Sequence, residues 1–253
     1  MFSKLKLSIP ILIFFIVAHA VSPLSIQLDN NTFTTQSPRN RKVVTLANSS
    51  DKLVPYTIKI LNRSHNLDGA ETLSETADFR IVPNQIITQP NSRTPIYIRY
   101  VGSDKFTAQK AYRLIITEAD IELEQPKEKK VTKAPMLNLK VLSQYRRSIY
   151  VNPHNMSLQS NIVLEKYSLK TSEDKKNTLE LIIKNSGSQQ VLIKNIAFTL
   201  KDTKNGNQEV ITLYAKDLKN SNFLVMDSRL ILVDISNKYS KNHFSVEITS
   251  INS

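Results

Sequence analysis

The sequence predicts an all-β protein built from two immunoglobulin-like β-sandwich domains in tandem, and three observations carry that expectation. Almost every apolar stretch after residue 24 alternates with period two, as in Val54-Pro55-Tyr56-Thr57-Ile58-Lys59-Ile60 and Ile96-Tyr97-Ile98-Arg99-Tyr100. That is the pattern of a strand with one buried face, and it is rich in β-branched and aromatic residues. Turn-forming clusters such as Asn48-Ser49-Ser50-Asp51, Pro90-Asn91-Ser92 and Gly102-Ser103-Asp104 cut these stretches at short intervals. No segment keeps a helical stripe over three turns, so the spacing is that of a sandwich.

Taken in order, residues 1–20 read as an export signal. Lys4 and Lys6 form a positive start, Leu7 to Val17 is an apolar run broken by Ser8 and Pro10, and Ala18-His19-Ala20 is a small-x-small cleavage site. The run is shorter than the roughly 20 apolar residues a spanning helix needs. Cleavage before Val21, export and no stable membrane insertion afterwards are therefore expected. Residues 21–151 are expected to form the first sandwich, with seven strands: Leu24 to Thr34, Lys42 to Ala47, Val54 to Leu61, Phe79 to Val82, Thr94 to Val101, Lys110 to Glu118 and Met136 to Val151. The charged stretch Ile121 to Pro135 reads as a solvated loop ahead of the last strand.

Asn152-Pro153-His154-Asn155 reads as a hinge, since Pro153 has no N–H to give a ladder and its neighbours favour turns. The same grammar restarts over residues 156–253, with strands at Val163 to Leu169, Thr178 to Lys184, Gln190 to Ile196, Phe198 to Lys201, Glu209 to Tyr214, Arg229 to Ile235 and Phe244 to Ile251. Lys204-Asn205-Gly206-Asn207 carries the Asn-Gly pair that suits a type I′ hairpin turn.

Composition narrows the function. The chain has no cysteine, so its cores must hold without disulfides. Its formal charge is +12, and setting aside Lys4 and Lys6 leaves +10 on the exported part. Such a balance favours acidic partners, but the charges are scattered among Asn, Ser and Asp and read mostly as solvated faces. A hydrolase triad needs a histidine poised between a nucleophile and a carboxylate. His65, His154 and His243 each stand beside turn-forming residues, as surface loop histidines do. With no Cys and no His pair a zinc site is not expected. With only Gly69, Gly102, Gly187 and Gly206, a phosphate cradle is not expected either. Tyr97-Ile98-Arg99-Tyr100 and Tyr145-Arg146-Arg147 interleave aromatics with arginine, but strand alternation explains both better than a nucleic-acid platform does. The expectation is a non-enzymatic binding protein without metal, cofactor or nucleic acid.

The most distinctive candidate for binding is "MLNLKVLSQYRR", residues 136–147. Leu137, Leu139 and Val141 alternate with Asn138 and Lys140, and the strand runs into Arg146 and Arg147. Alternation alone fits half of an internal core as well as a strand offered outward. An apolar strand at a sheet edge templates aggregation unless it is protected or used, and its direct use is strand addition to a partner.

Several segments resemble the PapD-like periplasmic chaperones of the chaperone/usher pathway, including its divergent archaic branch. They are "DFRIVPNQIITQPNSRTPIYIRYVG" (78–102), "KAYRLIITE" (110–118) and "VVTLANSSDKLVPYTIKI" (43–60), and more weakly "LELIIKNSGSQQVLIKNI" and "NFLVMDSRLILVDI". The resemblance implies a chaperone that lends the last strand of its first domain to fimbrial or pilus subunits and passes them to an outer-membrane usher. It implies Leu137, Leu139, Val141 and Ser143 as the lent face. It also implies a basic anchor for the subunit's terminal carboxylate at Arg146, or at Arg147 on the donor face. The first strand, "SIQLDNNTF", lacks the basic residue that family members place there, and Arg113 of "YRLII" is the candidate replacement, as in the archaic branch. The other readings are an exported structural subunit or adhesin, or an envelope-binding module. Whether free copies pair to cover the donor strand is left open.

Overall fold

The computed structural model describes residues 24–36, 38–120, 142–172, 176–235 and 243–253. The expected signal segment, the charged loop 121–135 and the first six residues of the expected donor strand, 136–141, lie outside them.

In the first sandwich the strands are β1 (Leu24–Gln27), β2 (Thr32–Thr34), β3 (Arg41–Asn48), β4 (Val54–His65), β5 (Glu71–Glu75), β6 (Phe79–Val82), β7 (Gln85–Thr88), β8 (Ser92–Tyr100), β9 (Lys110–Glu118) and β10 (Gln144–Asn152). One sheet has the order β1-β3-β8-β6, and the other β2-β10-β9-β4-β5 with β7 also on β4. Alternation decides what lies between them: Tyr56, Ile58 and Ile60 of β4, Tyr112, Leu114 and Ile116 of β9, and Val44, Leu46, Ile96 and Ile98 opposite, all buried. Phe79 closes one end, edge-on to Phe33, Tyr100 and Tyr112 at centroid distances of 5.5, 5.4 and 4.9 Å, a favoured aromatic geometry.

The second sandwich contains β11 (Ile162–Thr171), β12 (Asn177–Asn185), β13 (Val191–Leu192), β14 (Asn195–Asp202), β15 (Gln208–Tyr214), β16 (Asn222–Phe223), β17 (Ser228–Ile235) and β18 (Phe244–Asn252). Its sheets are β11-β12-β17 and β15-β14-β18, with β13 and β16 paired at one end. A separate core forms here around Leu179, Leu181, Ile183, Phe198, Leu200 and Phe223.

Several expected elements differ. The run Leu24 to Thr34 is two strands in different sheets: β1 pairs antiparallel with β3, and β2 pairs parallel with β10. The chain changes sheets at Asp29-Asn30-Asn31, where Asn30 Oδ1 accepts the Thr32 N–H at 2.7 Å, an Asx turn. Strands β5 and β7 were not expected; they share one edge of β4 in succession, covering Leu61–His65 and Val54–Thr57. The break expected near Ala197 is a bulge in the pairing of β14 with β18, so β14 continues through it.

The β14–β15 turn is not type I′, which needs positive φ at both central residues. Only Gly206 has it, at 78°. Asp202 Oδ1 instead accepts the N–H groups of Lys204 and Asn205 at 2.8 and 3.4 Å and shapes a longer loop.

Candidate functional site

Strand β10 pairs with β9 along Gln144 to Val151. On its other side β2 covers only Tyr150 to Asn152. Among the described residues, no strand pairs with that edge over Gln144 to Ile149. Ile149 and Val151 are buried and Tyr145 packs partly against the same core, so odd-numbered positions of β10 face inward. Arg147 lies directly opposite Leu114 and shares that face.

Of the sequence-derived donor residues, Leu137, Leu139 and Val141 lie outside the described residues. Ser143 is described and sits just before β10; its carbonyl accepts the Glu118 N–H at 2.9 Å, and its own N–H reaches Glu118 Oε2 at 3.3 Å. The ladder to β9 thus continues past the strand's first residue.

The even-numbered residues of β10 look the other way, and there the structure assembles a cluster. Arg113 of β9 lies between Ser148 of β10 and Leu61 of β4 in the ladder. Arg63 follows two residues along β4 on the same outer face. Glu71, the first residue of β5, is paired with His65 at the end of β4, which swings its carboxylate over the arginines. Arg63 Nε donates to Glu71 Oε1 at 2.6 Å, Arg113 donates to the same oxygen through Nε (3.1 Å) and Nη2, and Arg146 Nη2 donates to Oε2 at 2.7 Å. Ser148 Oγ accepts from both Arg63 and Arg113. The side chains of Arg63, Arg113 and Glu71 are 5%, 15% and 19% exposed, whereas Arg146 is 46% exposed and forms the open rim. Burial acts to raise the Glu71 carboxyl, but hydrogen bonds and charge from Arg113 and Arg63 outweigh it and hold the group below the usual carboxylate range.

Thus Arg113 and Arg146 meet at one carboxylate, while Arg147 belongs to the opposite face of the strand. Sequence reasoning missed Arg63 and Glu71. The alternation Ile60, Asn62 against Leu61, Arg63 would have put Arg63 on an outer face; no local pattern marks Glu71.

His65 corrects a second expectation. Its side chain is fully buried between the two sandwiches instead of lying in a surface loop. Strand β4 runs four residues past the expected end at Leu61 and carries the ring to the second domain. Nε2 faces Arg63 Nη2 at 3.1 Å and Asn220 Nδ2 at 3.0 Å. Nδ1 lies 2.6 Å from Asp227 Oδ2 and 2.7 Å from Arg229 Nη2, so a guanidinium faces each ring nitrogen. Arg229 Nη2 also donates to that carboxylate at 2.9 Å. Burial acts to raise the Asp227 carboxyl; the His65 hydrogen bond, the Leu224 N–H and the Arg229 charge reverse this and hold it low. The β4–β5 turn completes the junction. The Leu230 N–H donates to Leu67 O at 2.8 Å. Gly69 at φ +85° lies so close that a Cβ would stand 3.2 Å from Arg229 Nε.

No protein-family model matches the sequence, and no curated protein does. Solved structures do match in fold. A chain of the CsuC–CsuE chaperone–tip adhesion subunit pre-assembly complex, from the archaic chaperone–usher Csu pili of Acinetobacter baumannii, superposes with a TM-score of 0.52 at 11% identity, covering 85% of this chain and 88% of that one. A chain from a chaperone–tip adhesin complex of CFA/I fimbriae biogenesis gives 0.50 at 11% identity, covering 90% and 100%. At this identity the likeness is one of architecture: the chain has the two-sandwich fold found in pilus chaperone complexes of the chaperone–usher type.

Proposed function

We propose that the protein is a periplasmic chaperone of a chaperone–usher system, which holds pilus or fimbrial subunits by lending them the strand that leads into β10. The observation that carries this reading is the one-sided pairing of β10, bound to β9 from Gln144 to Val151 and covered by β2 only at its last three residues. In the sequence Leu137, Leu139, Val141 and Ser143 share the parity of Tyr145, Ile149 and Val151, the inward positions of β10. Three apolar side chains entering a partner's groove at about 1.5–3 kcal/mol each supply several kcal/mol, and ladder hydrogen bonds hold the register.

Arg146 and Arg113 stand at the inner end of that strand, where charge-assisted hydrogen bonds to a terminal carboxylate set how far the partner enters. Two separate cores, one per sandwich, favour this over a structural subunit made of one incomplete sandwich. The fold shared with chains of chaperone–subunit complexes supports pilus subunits as partners and an outer-membrane usher as the recipient.

The test is co-expression with the exported pilin-like subunits of the cell that makes the protein. Wild type is expected to yield a soluble one-to-one complex. Leu139→Asp is expected to abolish it while leaving the thermal midpoint of the free protein unchanged, because the residue is lent and not buried at home. Arg113→Ala with Arg146→Ala is expected to weaken capture by at least about tenfold. A Leu139→Asp variant that captures normally, or one that unfolds outright, overturns strand donation.

A further inference from the structure

The arginine cluster is out of balance. Arg63, Arg113 and Arg146 bring three guanidinium charges onto one carboxylate, Glu71. The three are not held alike. Arg63 is spent on all sides: Nε on Glu71, Nη1 on Ser148 Oγ at 3.1 Å, Nη2 on His65 Nε2 at 3.1 Å. Arg113 is engaged with Glu71 and, through Nη1 at 2.9 Å, with Ser148. Arg146 is the most exposed of the three and is tied to Glu71 by Nη2 alone among the described contacts. Glu71 Oε1 is gripped from the buried side and Oε2 only from the rim.

We propose that Glu71 is a built-in stand-in for an external carboxylate: in the free chain it neutralises the buried guanidiniums, and an arriving carboxylate takes Arg146 and the outer edge of Arg113 from it. The proposal rests on the reading of this cluster as the partner's anchor and adds a competitor already present in the site. Half-buried cations without a counter-charge are strongly unfavourable, so the cluster needs Glu71 when no partner is bound. For the same reason Glu71 sets the affinity the site can reach. Its Oε1, anchored by Arg63 and Arg113, keeps it in place while Oε2 gives up Arg146. After the exchange two carboxylates face three guanidiniums, and the charges are closer to balance.

Sodium formate serves as the probe, with formamide as the uncharged control and sodium chloride at matched ionic strength. Glu71→Gln removes the competing charge and keeps the side chain's shape. It is expected to bind formate about tenfold more tightly than wild type, since a like charge a few ångströms away opposes binding in a site of intermediate dielectric. Binding is followed by shifts of the Arg113 and Arg146 Nε–Hε signals. Glu71→Ala is expected to be less stable than wild type in chloride. Formate at ten times its dissociation constant is expected to raise its folding equilibrium constant about tenfold, with no such rise in formamide.

Formate binding to Glu71→Gln that is no tighter than to wild type, or shifts absent from both arginines, overturns the proposal; so does a Glu71→Ala variant that responds alike to formate and chloride. The two levels separate cleanly. If the Glu71 variants behave as expected but Arg113→Ala with Arg146→Ala leaves subunit capture unchanged, the anchor reading fails and the stand-in survives. If capture requires those arginines but formate has no special effect on the Glu71 variants, the stand-in alone fails.

Discussion

Glu71 sits where a carboxylate is most favoured and where its loss is most costly, which makes it a contributor to acid sensitivity. Its carboxyl is depressed below the ordinary 4.5 in the folded chain, and that of Asp227 below 3.8. A carboxyl lowered by folding contributes stability that is fully present above its unfolded value and is lost as pH falls through the folded one. Urea unfolding measured at successive pH values is therefore expected to show stability falling below about pH 4.5. The fall is expected to be shallower in Glu71→Gln, which has no proton to take up there. An identical acid limb in the two proteins would show that Glu71 is not held by the arginines in solution. Arg113 and Arg146 could be named as candidates because the family resemblance implied basic anchors on strands that alternation made readable. Glu71 could not, because it reaches the cluster through a strand, β5, whose Glu-Thr-Leu-Ser-Glu carries no buried alternation.

At the scale of the element, β10 shows how far alternation reads. It leads to the expectation that Leu137, Leu139, Val141 and Ser143 share one face; of these Ser143 alone is described, and its parity is that of Tyr145, Ile149 and Val151 in β10. What alternation does not contain is the neighbour on each side: β2 joins the sheet in parallel because the chain turns at Asn30, more than a hundred residues earlier. The opposite sheet carries a further consequence of register. Arg80 stands directly opposite Arg99, on the exposed face of β6 and β8. Like charges directly opposite in a sheet destabilise it. Arg80→Thr is therefore expected to raise stability by about 0.5 kcal/mol at low salt, with the gain shrinking as salt screens the pair. Chemical denaturation at two ionic strengths checks it, and a loss of stability would mean that Arg80 contributes a favourable contact that outweighs the repulsion.

For the whole molecule, the orientation of the two sandwiches is fixed at His65, Asp227, Arg229 and Asn220, and on the other side by Gln109, which bonds Asn152, Ser188 and Gln190. Arg63 belongs both to the Glu71 cluster and to the His65 contact, so the candidate anchor is rooted in the domain junction. His65→Ala is expected to leave Asp227, Arg63 and Asn220 short of partners, costing about 1–3 kcal/mol. It is also expected to free the domains, seen as a larger radius of gyration by X-ray scattering. An unchanged radius would place the restraint on the remaining junction contacts, Leu67 with Leu230, Tyr150 with Asn222, and Gln109.

By itself the sequence determined the fold class, most of the strands and the side chains on each face, because period-two alternation and turn residues act over a few neighbours. Only the tertiary structure decided that His65 is buried, that β10 keeps an open edge among the described strands, and that Arg63, Arg113 and Arg146 converge on Glu71. Those outcomes depend on groups 8 to 164 positions apart in the chain, and the pairing of distant strands that brings them together has no local signature.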